Sequence, residues 1–371
     1  MKIVNLSYKN RKSGWNIKDL AFNNLTLLVG ASGVGKTQIL RAILRLASIA
    51  KGKSSNGIEW RVSFMQDGLE YLWEGAFALI DDENETAADV GGVAAPIEYE
   101  RLYRNNGKKE LLIERDADSL KFNGQTTVKL EAEKSAIALL KEESDIMPVY
   151  KGFLQISLMG NQNKGIRISP IKVAEESIIK DVDALRKQPN LSMVEQLFLL
   201  YKHGLKEFDL VKERFISIFP FVEDLQFTTG TLFNNVTYPI LLLKEKGVEQ
   251  WISQKFISSG MFSALSHLVA ITLAKDGDVI LIDEFENSLG VNCINEVADL
   301  VLYPEAELQF VITSHHPYII NNIDYGKWKI VTRQGTNVMV HSANDLHIGK
   351  HSKHDAFMQL IQSSAYLKGI L

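Results

Sequence analysis

Residues 25–37 read LTLLVGASGVGKT, and they restrict the fold more than any other stretch of the chain. Leu25, Leu27, Leu28 and Val29 form an apolar run of buried-strand length. Gly30-Ala31-Ser32-Gly33-Val34-Gly35-Lys36-Thr37 then fits G-x-x-x-x-G-K-[ST], the phosphate-binding P-loop pattern. Small residues are needed there because successive backbone N–H groups converge on phosphate oxygens, and the following helix points its positive end at the same anion. Gly30, Ser32, Gly33, Val34 and Gly35 are therefore the candidate cradle, and the apolar spacing of Ile39, Leu40, Ile43, Leu44 and Leu46 supplies the helix. Lys36 would contact the β- and γ-phosphates and the Thr37 hydroxyl would ligate Mg2+. A chain of this length matches the pattern by accident only on the order of once in a hundred.

The bulk numbers exclude several classes. With 371 residues, 46% apolar and 23% charged, the chain has the composition of an ordinary globular protein of one large or two modest domains. A formal net charge of −4 gives no global basic field to attract nucleic acid or an anionic membrane, so any such contact has to be local. The single cysteine, Cys293, excludes an internal disulfide and a zinc site built from several thiolates. The opening MKIVNLSYKNRK turns polar and basic after Leu6, and no apolar run approaches the roughly 20 residues that span a bilayer. These features predict a cytoplasmic protein with no membrane partner.

Alternation over residues 2–8 and 15–22 predicts strands leading into the P-loop strand, and Trp15 could either stack on a base or serve as strand surface. After the P-loop helix, Ile58–Phe64 and Leu69–Phe77 read as a hairpin around Gln66-Asp67-Gly68, and residues 81–96 as an exposed loop. Ile97–Arg104, Leu111–Arg115 and Leu120–Leu130 continue the β pattern, the last turning at Asn123-Gly124. Helical patterns follow at Glu131–Asp145, Ile171–Lys187, Ser192–Leu200 and Leu205–Phe219, with no heptad run long enough for a coiled-coil arm. The expected fold is α/β, with an antiparallel β layer inserted after the P-loop helix and a compact helical lobe. The expected division is residues 1–150 for the P-loop and β layer, 151–257 for the helical lobe and 258–371 for the remaining motifs.

Val279-Ile280-Leu281-Ile282-Asp283-Glu284 has the form of a buried parallel strand delivering acids at its carboxyl edge. Asp283 would hold Mg2+ through water, and Glu284, next in the strand and pointing the other way, could polarise the attacking water. Upstream, Ser258 and Gly260 sit at the start of an apolar helix, where hydroxyl and N–H donors can grip a further phosphate or simply cap the helix. Downstream, the apolar run Leu308–Ile312 ends in Thr313-Ser314-His315-His316-Pro317, a polar tip whose histidine can sense a γ-phosphate.

The set GASGVGKT, ISSGM, VILIDEFENSL and ITSHHP, in that order, resembles the ABC-type ATPases. More narrowly it is similar to the soluble branch of RecF-like, structural-maintenance-of-chromosomes-like and overcoming-lysogenization-defect ATPases. The resemblance implies that Ile257–Met261 takes the place of the LSGGQ signature, with Ser258 and Gly260 matching and Ser259 and Met261 departing. It implies Asp283 and Glu284 as the Walker B pair, Asn287-Ser288-Leu289 as the D-loop region and His315 as the switch histidine, His316 standing next to it. For the glutamine loop, Gln155 and Gln66 are both candidates, Gln155 preferred. It also implies ATP and Mg2+ as cofactors and a head-to-tail dimer in which the P-loop of one subunit and the signature of the other enclose each ATP. A γ-phosphate held by Lys36 alone still has unpaired oxygens, so the partner's donors make closure depend on ATP.

Three functions fit these motifs. The first is a stand-alone ATPase resembling the ATPase components of the PARIS or Septu antiphage systems, controlling a separate nuclease or toxin effector. The second is a DNA repair or recombination ATPase that clamps DNA, and the third an ATP-gated scaffold. Acidic balance and the missing arm weigh against the second; the local cationic clusters Lys108-Lys109 and Lys350, His351, Lys353, His354 read by default as solvated surface. The spacing of His347, His351 and His354 suggests a metal, but Gly349-Lys350 and the adjacent charges favour exposed surface.

Overall fold

Strand β3 (Leu25–Val29) is buried along its whole length, as a run without polar alternation requires of a strand covered on both faces. It pairs in parallel with β15 (Gln309–Thr313) on one side and β16 (Trp328–Gln334) on the other, and β15 pairs in parallel with β14 (Val279–Ile282). The computed structural model describes residues 1–80, 94–159, 181–186, 188, 191–231, 237–287, 289–290, 293–349 and 353–370. The chain divides into two units, Met1–Leu158 with Asp276–Glu284 and Glu307–Leu371, and Met159–Lys275 with Phe285–Ala306.

In the first unit β16 turns back as β17 (Asn337–Ser342), which runs parallel to β2 (Asn16–Ala21); β2 pairs antiparallel with β1 (Lys2–Asn10), and β1 with β4 (Ile58–Gln66). The meander continues through β5 (Leu69–Phe77), β6 (Ile97–Asn105), β7 (Lys109–Asp116), β8 (Leu120–Phe122) and β9 (Gln125–Thr126). With β10 (Ile156–Met159) beside β14, fourteen of the described strands form one sheet. The inserted antiparallel layer is thus hydrogen-bonded into the parallel core through β1 and β2. Its turns follow the residues that demand them: Asp67 and Gly68 have φ of 51° and 79°, and Asn123 and Gly124 have 49° and 76°, the paired positive values of a type I′ hairpin. Of the loop expected over 81–96, residues 81–93 lie outside the described residues.

Helix α1 (Lys36–Ala50) buries Ile39, Leu40, Ile43, Leu46 and Ala47, the i, i+3, i+4 stripe that the sequence predicts. The helix expected over Glu131–Asp145 reduces to α2 (Ala136–Leu139). Side chains of the β layer take the intervening backbone groups: Arg115 donates to the carbonyls of Glu131 and Lys134 at 2.7 and 2.6 Å, and Glu100 accepts from the Ala136 N–H at 2.7 Å. A helix absent from the sequence reading, α3 (Met147–Leu154), drives Phe153 edge-on against Trp73 and Phe64 at centroid distances of 5.0 and 5.3 Å.

The second unit holds α4 (Val182–Arg186), α5 (Met193–Lys202), α6 (Lys206–Ile218), α7 (Ser259–Leu273) and α8 (Ile294–Leu302). Residues 171–180 and 187 of the expected Ile171–Lys187 helix lie outside the described residues. Ser192 and Glu195 form a reciprocal capping box at the start of α5. The helices are accompanied by a three-stranded antiparallel sheet, β11 (Val222–Thr231), β12 (Thr237–Glu245) and β13 (Ile252–Ser253). Back in the first unit lie α9 (Pro317–Asn322), α10 (Lys353–Gln362) and α11 (Ser364–Lys368). Among the described residues no helix is long and apolar enough to cross a membrane.

Candidate active site

The parallel strands end at one level: Ile282 pairs with Ile312, Ile312 with Leu27 and Thr313 with Leu28. That register brings the loop after β3, the acids after β14 and the tip of β15 to a common carboxyl edge, where open α/β sheets bind ligands. Gly30 has φ of 145°, and a Cβ there would lie 2.4 Å from the Val331 carbonyl oxygen, so only glycine lets the loop leave β3 this close to β16. Gly35, left-handed at φ 109°, is the N-cap of α1 and lies under the ring of Trp15, 2.7 Å from where its own Cβ would be. Ser32 and Gly33 are exposed at the loop's tip and Val34 is buried.

Lys36 is only 7% exposed and donates from Nζ to the carbonyls of Gly30 and Ala31, both at 2.8 Å. The ammonium is thereby folded over the loop, where a phosphate oxygen would make the stronger, charge-assisted partner. The Thr37 hydroxyl donates to Asp283 Oδ1 at 3.1 Å. Hydroxyl and carboxylate oxygens are the hard donors that Mg2+ takes, and a threonine that spends its proton on Asp283 keeps lone pairs for a metal, so the residues present fit that ion.

Strand alternation does not orient Glu284. β14 stops at Ile282, and Glu284 turns into the left-handed region at φ 48°, a conformation a glutamate seldom adopts. Its backbone N–H donates to Thr313 Oγ1 at 2.6 Å, and the same hydroxyl donates to Asp283 Oδ1 at 2.7 Å. Glu284 is exposed at the edge and Asp283 half-buried. His315 is half-buried beyond Thr313 and Ser314, while His316 is occupied structurally: its Nδ1 accepts from the Tyr318 N–H at 3.3 Å, capping α9 ahead of Pro317.

Neither glutamine candidate comes to this edge. The Gln155 carbonyl accepts from Val279 N at 3.0 Å, at the start of β14, and its Oε1 accepts from the Met1 ammonium at 3.3 Å. Asp283 follows the other end of that four-residue strand, about 13 Å away at 3.3 Å per residue. Gln66 also lies near Met1, its Oε1 crowded against Gly152. Both placements correct the expectation of a nucleotide-contacting glutamine at these positions; a strand start and a hairpin end carry them to the amino edge.

One residue the sequence did not single out is at the loop. Arg333, at the end of β16, stacks its guanidinium 4.6 Å from the Trp15 ring centroid and donates to the Gly33 carbonyl at 3.3 Å. Its only sequence signal is a basic residue before a Gly335 turn, which is indistinguishable from ordinary surface.

A family model described as "AAA domain, putative AbiEii toxin, Type IV TA system" matches residues 25–321, from the P-loop strand through the histidine tip. The chain belongs to that family, AAA_21. The AAA_21 chain is similar in structure to the SmcHead bound to the C-winged helix domain of ScpA, with a TM-score of 0.50 and 17% identity over 92% of this chain and 98% of that one. Likenesses to the Pyrococcus furiosus Smc head with an extended coiled coil bound to the C-terminal domain of ScpA (TM-score 0.46, 16% identity, 93% and 98% covered) and to the Thermotoga maritima SMC head domain (0.41, 15%, 92% and 99%) are weaker. No curated protein sequence matches it. The fold is that of an ABC-type P-loop NTPase.

In the second unit of this AAA_21 protein, Ser258 is the N-cap of α7, its hydroxyl accepting from Met261 N at 3.2 Å. Ser258 is exposed and Gly260 half-buried, so the helix start is open to an incoming group. Ser288 of the D-loop region lies outside the described residues. Cys293 is buried and donates to the Gly290 carbonyl at 3.1 Å, ahead of α8. Among the described residues no three His, Cys, Asp or Glu side chains converge as a metal site; Lys350 and His351 lie outside them.

Proposed function

We propose that this AAA_21 protein binds and hydrolyses ATP with Mg2+, closing as a head-to-tail dimer that controls a separate effector in antiphage defence. The observation that carries the enzymatic part is the hydrogen-bonded junction of Thr37, Asp283 and Thr313 at the mouth of the P-loop. Three segments distant along the chain meet there, and Thr37 and Asp283 bring the hydroxyl and carboxylate oxygens that a nucleotide-bound Mg2+ takes.

On this reading the loop amides of Gly30–Gly35 orient the phosphates and Lys36 neutralises β- and γ-phosphate charge. Thr37 and, through water, Asp283 would hold Mg2+, which would supply charge neutralisation of the leaving oxygens. Glu284 accepts a proton from the attacking water, and His315 donates to the γ-phosphate oxygen on which negative charge grows. Exposed Ser258 and the N–H groups at the start of α7 engage the γ-phosphate held by a second copy. Hydrolysis removes those contacts, and the dimer reopens.

The family's description, which names a putative toxin and a Type IV TA system, supports a reading in which the protein works as part of a two-component system. The arginines of the antiparallel layer argue against the DNA-clamp alternative: Arg11 meets Glu98 at 2.8 Å, Arg61 meets Glu74 at 3.0 Å, Arg101 meets Asp116 at 2.7 Å and Arg104 meets Asp145 at 2.6 Å. Arginines already paired with carboxylates offer phosphate little counter-ion release.

The test combines turnover with size. Wild-type protein should hydrolyse ATP with Mg2+, and Glu284→Gln should bind ATP, turn over at least about a hundredfold more slowly, as for loss of a general base, and accumulate as a closed dimer. Plasmid and tRNA incubated with the protein, Mg2+ and ATP should stay intact, and a genomically adjacent effector should co-purify in a nucleotide-dependent manner. Normal turnover in Glu284→Gln, or cleavage that maps outside the ATP site, would refute the proposal.

A further inference from the structure

A single hydroxyl on β15 ties both acids after β14. We propose that Thr313 is a positioning residue of the nucleotide site, setting the Asp283 carboxylate and the Glu284 backbone with one hydroxyl group. The inference rests on the ATPase reading above and adds a residue to it.

A threonine hydroxyl has one proton and two lone pairs. At Thr313 the proton goes to Asp283 Oδ1 at 2.7 Å, and a lone pair takes the Glu284 N–H at 2.6 Å. Thr313 is 1% exposed, and its pairing with Leu28 of β3 sets its height in the sheet. A β-branched side chain on such a strand has few χ1 choices, so the hydroxyl is placed by the sheet rather than by solvent.

The two bonds act on different parts of the site. Asp283 Oδ1 also accepts from Thr37 at 3.1 Å, so hydroxyls from β15 and from α1 converge on one carboxylate oxygen and fix the carboxylate's rotation. The bond to Glu284 acts on the main chain. A glutamate at φ 48° is held against its own preference for negative φ, and the buried acceptor for its N–H is the contact that selects this turn over an extended continuation of β14. Without the hydroxyl, the Glu284 carboxylate would leave the sheet edge in a different direction, and Asp283 would lose one of the two hydroxyl donors that hold it among the described residues. A hydroxyl is required for both tasks; a methyl of the same shape can do neither.

The test pairs Thr313→Val, which keeps shape and β-branching, with Thr313→Ser, which keeps the hydroxyl. Affinity for a non-hydrolysable ATP analogue is measured in EDTA and across a Mg2+ titration, alongside turnover and hydrogen exchange at the Glu284 amide. Thr313→Val should bind the analogue in EDTA as the wild type does. Its Mg2+ requirement should rise about 10- to 100-fold, the usual effect of removing a partner of a metal ligand, and the Glu284 amide should exchange faster. Thr313→Ser should recover most of both properties. Should the valine variant fail to fold, Thr313→Ala compared with Thr313→Ser asks the same question.

An unchanged Mg2+ titration in the hydroxyl-free variant, or a serine variant as impaired as that variant, would overturn the proposal. A wild-type protein that shows no Mg2+-dependent nucleotide affinity would remove the parent reading and this inference with it. Wild-type binding with an indifferent Thr313 removes this inference alone.

Discussion

Thr37 and Asp283 are 246 residues apart in sequence and joined by a hydrogen bond of 3.1 Å. Neither side chain is placed by its neighbours in the chain: the first follows a left-handed glycine at the start of α1, and the second follows the end of β14, with β15 and β3 setting the level of both. Because they act through one contact, their substitutions should not add. Thr37→Val and Asp283→Ala should each weaken Mg2+-dependent nucleotide affinity by about 10- to 100-fold, and the double variant should be little worse than the worse single. Fully additive losses in isothermal titration would show that the two residues hold the metal independently.

Lys36→Ala and Ser258→Ala separate binding from closure. Removing the ammonium takes away a charge-assisted partner worth about 1.5–3 kcal/mol, so nucleotide affinity of the monomer should fall at least about tenfold. Ser258→Ala should leave that affinity within about twofold but weaken ATP-driven association, at a stability cost of about 1 kcal/mol from the lost bond to Met261 N. Ser258→Asp restores a cap without a hydroxyl and should recover stability while association stays impaired. Light scattering with and without ATP reads association, and thermal melting reads the cap. Association restored by the aspartate would reduce Ser258 to its capping role.

Much of this architecture was legible because it depends on local chemistry. Gly30, Gly35 and Lys36 announce the loop, Asp67-Gly68 and Asn123-Gly124 announce their hairpins, and uninterrupted apolar runs announce β3, β14 and β15. What was not legible depends on partners distant in sequence. Helical spacing in Glu131–Asp145 gives way to α2 because Arg115 and Glu100 claim its backbone groups. Glu284 leaves the strand because Thr313 accepts its N–H, and strand periodicity carries no information about that bond. Gln155 was the preferred glutamine candidate, yet its carbonyl accepts from Val279 N at the start of β14, the end of that strand away from the acids. Arg333 had no signal at all until the fold set it over Trp15.

Arg333 bears on the rigidity of the loop. Its guanidinium is exposed, so the stack on Trp15 contributes about 0.5–1 kcal/mol, and the contact with the Gly33 carbonyl adds a tether to the cradle's tip. Arg333→Ala should therefore weaken nucleotide affinity about two- to fivefold in low salt, the fold-change of that energy, and should change Trp15 fluorescence in the nucleotide-free protein. Arg333→Lys keeps charge without the planar stack and should recover little of the fluorescence change. Affinity and fluorescence both unaltered in the alanine variant would mean that the arginine merely rests on the loop.

The last prediction concerns the fully buried carboxyl of Glu100 on β6. Its Oε1 accepts from Trp73 Nε1 at 2.9 Å and from Ser135 Oγ at 2.7 Å, and its Oε2 accepts from the Ala136 N–H at 2.7 Å. It thus fastens the start of α2 to the β layer. Burial, the largest influence, pushes its pKa up, and the three donors and nearby Arg115 only partly oppose that shift. A carboxyl whose folded value is raised holds its proton at pH values where the unfolded chain has lost it. Its contribution to stability is therefore fully present below the unfolded value and is lost as pH rises through the folded value. Glu100→Gln cannot titrate, and with its amide oxygen serving Trp73 and Ser135, its NH2 must face the Ala136 N–H, donor against donor. The variant should lose about 1–3 kcal/mol near neutral pH. As pH falls toward the ordinary carboxylate range the gap between the two proteins should widen, because only the wild type gains from taking up the proton. Urea unfolding of both proteins across that range decides the matter: a gap that stays constant or narrows with acid would show that Glu100 does not titrate with a raised pKa in the folded protein.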